Sequence, residues 1–264
     1  DREALKEVAK WDLWNPWAMY YEIHSTHPLI AKRLMMLGQQ ARVLGQPPYV
    51  EFDERKPESY WDDFLLDVIV ASLPMITVVA GLFVMAGHIS AVFFRGAPLC
   101  GFCQQTKAGG LFFLFLGISF LVKTLYMYSS THFMPMTIQG LLKKIKVSAV
   151  NPAACVVRGK IIGRGVPGLI YSEDFVLQDK TGIIFLDYQQ PLAVWNFLFG
   201  LFRAAHYQNQ EAEIVGWYRR SPIPYIEVKS ITVNGKTSVC YVYHLKIISA
   251  LAVLALGVFL LLMM

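Results

Sequence analysis

Charge is scarce in this chain. Of its 264 residues only 16% are Asp, Glu, Lys or Arg, while 55% are hydrophobic, and the mean hydropathy is +0.42. That balance excludes an ordinary soluble protein of this size and makes a membrane protein the default. Cysteine is also scarce: Cys100, Cys103, Cys155 and Cys240 form no dense disulfide framework and set no redox compartment. Cys100-Gly-Phe-Cys103 has the spacing of half a zinc knuckle or of a redox pair, but no second such pair exists to complete a zinc site. The chain does not open on a basic stretch and an apolar core, so its first residues read as a charged helix rather than a secretory signal. Gly163, Gly165 and Gly168 spell a dinucleotide fingerprint on paper. The run contains Pro167 and leads into no helix that offers its N-terminus to a pyrophosphate, so it reads as a loop between strands.

Long apolar runs, by contrast, are plentiful. A helix needs ~20 apolar residues to cross a bilayer, and three segments supply them. The first runs from about Phe64 to Phe94, with Pro74 and Gly81 inside it, Asp67 at its edge and His88 near its far end. The second runs from Gly109 to Tyr128 around Lys123, and the third from Leu245 to Met264 behind Lys246. Each is expected to be a helix, because an isolated strand in lipid leaves its backbone groups unpaired. The short connection from Arg95 to Ala108 predicts a hairpin of the first two. Lys143, Lys144 and Lys146 follow the second span and favour the cytoplasm for the soluble parts of an integral cell-membrane protein.

Outside the spans, acidic residues outnumber basic ones 11 to 8 over residues 1–63, and basic outnumber acidic 13 to 7 over residues 138–246. The basic part suits anionic lipid headgroups as readily as nucleic acid. Residues 1–45 read as helices broken at Asn15-Pro16. Residues 46–63 read as a charged linker ending in Tyr60 and Trp61, aromatics suited to a membrane interface. Residues 138–243 are strand-rich. CVVRGKIIGRG, two runs around Asp179-Lys180-Thr181-Gly182, AEIVGWYRR, and a hairpin about Asn234-Gly235 predict five or six short strands. One helix, PLAVWNFLFGLFRAAHY, sits among them; it is too short to span, and either packs on the barrel or lies in the membrane interface. The expected fold is therefore an α+β membrane protein: N-terminal helices (1–45), a linker (46–63), a two-helix transmembrane hairpin (64–128), a small OB-like β-barrel (138–243) and a C-terminal transmembrane helix (245–264). Gly216 to Tyr225, with Arg219 and Arg220 among aromatics, could stack on single strands. Beside three spans, lipid headgroups or protein neighbours are the expected partners, and no nucleic acid is.

One stretch carries chemistry. In Ser25-Thr26-His27-Pro28, the proline suits the first position of a helix, which predicts His27 or Thr26 as its cap and Ile30, Leu34 and Leu37 as its buried stripe. By spacing alone this is a capped helix with an interfacial His and a surface Arg33. The wider segment Ala9 to Gln40 is similar to the C-terminal end of the catalytic domain of the HtpX-type membrane zinc metallopeptidases, relatives of the CAAX prenyl proteases. Ser25, Thr26, His27, Pro28, Arg33 and Leu34 match that family's closing motif in order and spacing. The resemblance implies that His27 stabilises the oxyanion of the tetrahedral intermediate, opposite the zinc, and that Arg33 orients the site. Ala31 departs from relatives that carry an acid two residues before the Arg.

The family also requires His-Glu-x-x-His on one helix, two zinc ligands and a general base, with a further Glu ligand later. No His-Glu-x-x-His occurs in the sequence, and His24 is followed by Ser25 rather than Glu. The resemblance therefore implies a zinc metalloendopeptidase whose zinc, ligands and base lie outside this chain, on an N-terminal catalytic half that is separately encoded, cleaved off or omitted. This chain alone is expected to be inactive, and the substrate to be a peptide or a membrane protein. The alternative is a non-catalytic membrane adaptor whose barrel binds a protein partner or a lipid surface.

Overall fold

The computed structural model describes residues 2–52, 58–95, 105–165 and 174–263. The chain divides into two compact units, one of residues 1–66 and 130–241, the other of residues 67–129 and 242–264.

The first unit begins with three helices, α1 (Arg2–Trp14), α2 (Pro16–Ile23) and α3 (Ile30–Val43). Asn15 separates α1 from α2 for a local reason. Its extended backbone cannot continue α1, its side chain accepts the Trp17 N–H at 2.8 Å, and Pro16 fits the first turn, which has no use for an N–H. α3 begins at Ile30, two residues later than Pro28 predicts, with Leu29 at the cap and no capping side chain from its own segment. The expected stripe is also corrected: Ile30 and Leu37 are 69% and 59% exposed, and Ala31, at 2%, is the residue α3 buries. A small residue is what allows α3 to come close to α1.

The same unit contains the barrel. β2 (Ala153–Arg164), β3 (Phe175–Gln178), β4 (Ile183–Asp187), β5 (Glu211–Arg220) and β6 (Pro224–Val233) close a five-stranded ring in the order β2-β3-β4-β6-β5 and back to β2. The β4–β6 pair is parallel and the other four are antiparallel. Alternation fills the inside: Val157, Ile161, Phe175, Leu177, Leu186 and Ile226 are fully buried, each contributing ~1.5–3 kcal/mol of burial. Gly216 sits where β5 bulges against β6, and a Cβ there would lie 2.4 Å from the Glu227 carbonyl oxygen. β1 (Met134–Pro135) adds to β2, and β7 (Lys236–Val239) returns along β6. Asn234 and Gly235 make that turn with φ of 50° and 74°, the left-handed pair that a two-residue hairpin demands. β1 and α6 (Ile138–Leu142) are too short to show in the sequence pattern. α7 (Ala193–Phe202) lies between β4 and β5 in the chain and stacks Phe199 on Tyr188 with ring centroids 4.1 Å apart.

The second unit is helical. α4 (Trp61–Arg95), which enters it from residue 67, α5 (Gln105–Met127) and α8 (Val242–Leu262) are each long and apolar enough to cross a membrane. α5 and α8 approach closely at small residues: a Cβ on Gly117 would lie 2.5 Å from the Leu254 backbone nitrogen, and one on Gly257 2.3 Å from that of Leu114. α4 and α5 are joined by polar groups. Tyr126 donates to Asp67 at 2.8 Å, Lys123 donates to the Ala71 carbonyl at 2.9 Å, and the Thr77 and Ser119 hydroxyls lie 2.7 Å apart. Lys123, the charge within the second apolar run, thus closes on a carbonyl of the neighbouring helix.

Candidate functional site

His27 and Arg33 belong to the helical end of the first unit. Four residues without helix, His24 to His27, follow α2, and Pro28-Leu29 lead into α3. The turn is held by short-range bonds: the His27 N–H donates to Ser25 Oγ at 3.2 Å, and Ser25 Oγ donates to the His27 carbonyl. His24 Nδ1 lies 2.8 Å from the Tyr20 carbonyl, and its ring packs 4.6 Å from that of Tyr20. His24 is therefore engaged by its own helix, whereas the His27 side chain is exposed. Arg33 is exposed one turn into α3, with its N–H bonded to the Leu29 carbonyl at 3.1 Å. An ion pair between Lys32 and Glu22 ties α3 back to α2.

Around this turn lies uncovered apolar surface. Ile23 is 73% exposed and Ile30 69%, with Met19, Tyr20, Met36 and Leu37 also exposed on α2 and α3. A run of this kind on a small helical element marks a surface built to be covered.

The helices on either side of the turn are held by bonds to the end of β5 and to the segment before β2 that no local pattern predicts. Trp11, 1% exposed, donates its indole N–H to the Val147 carbonyl at 2.8 Å. Asn15, besides capping α2, donates to the Ile145 carbonyl at 2.7 Å. Arg220, at the end of β5, reaches out of the barrel. It donates to the carbonyls of Leu142 at 2.6 Å and Val8 at 3.2 Å, and to Asp12 Oδ1 at 3.3 Å, with its guanidinium 4.6 Å from the Trp11 ring centroid. Asp12 in turn accepts the backbone N–H of Ala31. That donor is one of the orphan N–H groups of the first turn of α3, so a residue of α1 provides the cap that α3 lacks locally. Burial raises the pKa of Asp12 above its ordinary value, against the opposing pull of Arg220 and the Ala31 N–H.

Arg219, the other half of the pair singled out in the sequence, is 1% exposed. It bonds Glu227 at 2.6 Å and the Ala149 carbonyl at 2.8 Å. Buried and neutralised, neither arginine is offered to headgroups or to nucleic acid. Tyr60, read as an interface aromatic, is 5% exposed and buried in the first unit; Trp61 beside it is 48% exposed.

Elsewhere on the barrel, Met136, Thr137, Arg158, Lys160, Gln178 and Asp179 line an open groove of about 620 Å³. Its Asp179 is committed to structure. Although burial works against it, hydrogen bonds from the Ile138 N–H, the Thr181 hydroxyl and N–H, and the Gly182 N–H pull its pKa below the usual carboxylate value. Among the described residues no group of three or more His, Cys, Asp or Glu is arranged to hold a metal ion, so the described residues offer no zinc site. Cys100 and Cys103, and the second half of the Gly163–Gly168 run, lie outside the described residues; Cys155 and Cys240 are free and buried. No protein-family model matches the chain, and no curated protein matches it.

Proposed function

We propose that this chain is the C-terminal part of a membrane-integrated zinc metalloendopeptidase of the HtpX type, acting on peptide or membrane-protein substrates at the cell membrane with its soluble unit in the cytoplasm. The metal, its ligands and the general base come from a second polypeptide segment bearing His-Glu-x-x-His. The observation that carries the reading is the run Ser25-Thr26-His27-Pro28 to Arg33-Leu34, with an exposed imidazole at its turn and uncovered apolar side chains about it. Those side chains fit a missing catalytic half as cover, and an imidazole N–H at such an edge is free to donate to a developing oxyanion. The barrel is of OB type: its ring order, with a helix between the third and fourth ring strands in the chain, supports this. In the assembly the barrel's role is to hold α1 and α3, through Arg220 and Asp12, at the edge of the active site.

The test is His27→Ala in the assembled peptidase. Loss of one oxyanion donor lowers kcat by ~10²–10³-fold while zinc content stays at the wild-type level. Wild-type turnover in that variant refutes the assignment of His27. If no His-Glu-x-x-His polypeptide associates with the chain, the peptidase gives way to a membrane adaptor.

A further inference from the structure

α7 is amphipathic in the inverted sense. At the helical repeat, Val194, Trp195, Phe197, Leu198, Leu201 and Phe202 fall within an arc of about 160°. They turn away from the barrel: Val194 is 65% exposed, Trp195 57%, Phe197 52% and Phe202 64%. The opposite side carries Phe199 and Gly200, both buried, and Asn196, whose side chain accepts the Gln190 N–H at 2.6 Å. The polar residue thus faces inward and the apolar ones outward, the reverse of a helix resting on a soluble barrel. α7 contains no charged residue, and Arg203 and His206, both exposed, follow it.

We propose that the outer face of α7 is a membrane-surface anchor that sits at the boundary between headgroups and acyl chains of a bilayer, an inference resting on α4, α5 and α8 spanning that bilayer. Two observations select lipid as the occupant. Apart from the Trp195 indole N–H the face has no polar side-chain group, so nothing on it would fix the register of a protein partner, whereas a lipid surface requires none. The chain also keeps the barrel near the membrane. β7 ends at Val239 and α8 begins at Val242, three residue steps that reach ~11 Å at most, so the bilayer is present at high effective concentration. Ten residues of helix extend ~15 Å, half of what a span needs and suited to lying in the plane. Arg203 and His206 then meet headgroup phosphates, and Trp195 takes the interfacial position that its ring favours.

Spin labels on the whole chain, reconstituted in phosphatidylcholine–phosphatidylglycerol nanodiscs, test this. In a Cys100→Ser, Cys103→Ser background the remaining Cys155 and Cys240 are buried, with thiols pushed up by burial to about 12, and do not compete for label. Labels are placed singly by Val194→Cys, Phe197→Cys and Phe202→Cys, with Leu256→Cys on α8 as the lipid reference and Lys236→Cys on the β7 hairpin as the water reference. The expected result is that the three α7 labels relax with dissolved oxygen and lose access to a water-soluble nickel chelate, as Leu256→Cys does. Chelate access equal to that of Lys236→Cys overturns the proposal. Shielding of the α7 labels from both reagents also overturns it, because protein then covers the face. A Leu256→Cys label open to the chelate refutes the spanning helices themselves, a failure distinct from that of α7.

Discussion

Arg220→Met is the perturbation that most directly probes how the barrel holds the helical end. Methionine keeps most of the stem volume and removes the cation. The loss takes a donor from two half-buried carbonyls, those of Leu142 and Val8, and leaves Asp12 without its counter-charge. Breaking a buried pair from one side costs ~3–5 kcal/mol. Asp12 can escape part of this by taking up a proton, so the expected loss at pH 7 is about 3 kcal/mol, or ~150-fold in a local opening equilibrium. Because Asp12 is bonded to the Ala31 N–H, the loss extends from α1 to α3. Hydrogen exchange on the full chain in detergent, corrected for intrinsic rates, is therefore predicted to accelerate by ~150-fold in both helices while β3 and β4 keep their protection. The pH dependence has a definite sign. The pKa of Asp12 is raised by folding, so its favourable contribution is present below the unfolded value and is lost as pH rises through the folded one. Without Arg220 the pKa rises further, so the penalty is largest above neutrality and shrinks towards pH 4. Acceleration of α1 alone would refute the coupling through Asp12, and equal acceleration across the barrel would refute a local hold.

Two further outcomes follow from the packing. Gly257→Ala brings a Cβ to 2.3 Å from the Leu114 backbone nitrogen and lowers stability by ~1–3 kcal/mol in thermal unfolding of the purified chain. Gly109→Ala, with nothing within 4 Å of its Cβ, does not lower it, and equal losses at both sites would refute close packing as the cause. Asp179→Ala removes the cap on the Ile138 N–H and its bonds to Thr181 and Gly182, costing ~1–2 kcal/mol at pH 6. Since folding lowers the pKa of Asp179, its contribution is present above the unfolded value and fades as pH falls through the folded one. The gap between variant and wild type therefore narrows towards pH 3, and a constant gap in tryptophan-detected melting curves would contradict this.

The elements legible in the sequence are those whose cause is local. Asn15-Pro16 ends one helix and starts the next because cap and proline act within two residues. Asn234-Gly235 makes its turn because both residues tolerate positive φ. The three long helices follow from apolar runs that need no partner to be recognised. α3 starts later than Pro28 predicts, and its first turn is capped by Asp12, eighteen residues before Ile30, rather than by its own flanking residues. The expected stripe of Ile30, Leu34 and Leu37 failed because helical periodicity identifies an apolar face without saying what covers it, and the small Ala31 was the one packed.

The sequence by itself determined the mixed composition of strands and membrane-length helices, and the motif around His27, since spacing along the chain suffices for both. Only the tertiary structure decided that Arg219 and Arg220 serve the interior and that α7 turns its apolar face outward. The physical reason is that desolvation depends on neighbours far along the chain, such as Asp12, 208 residues from Arg220, and no window on the sequence brings them together.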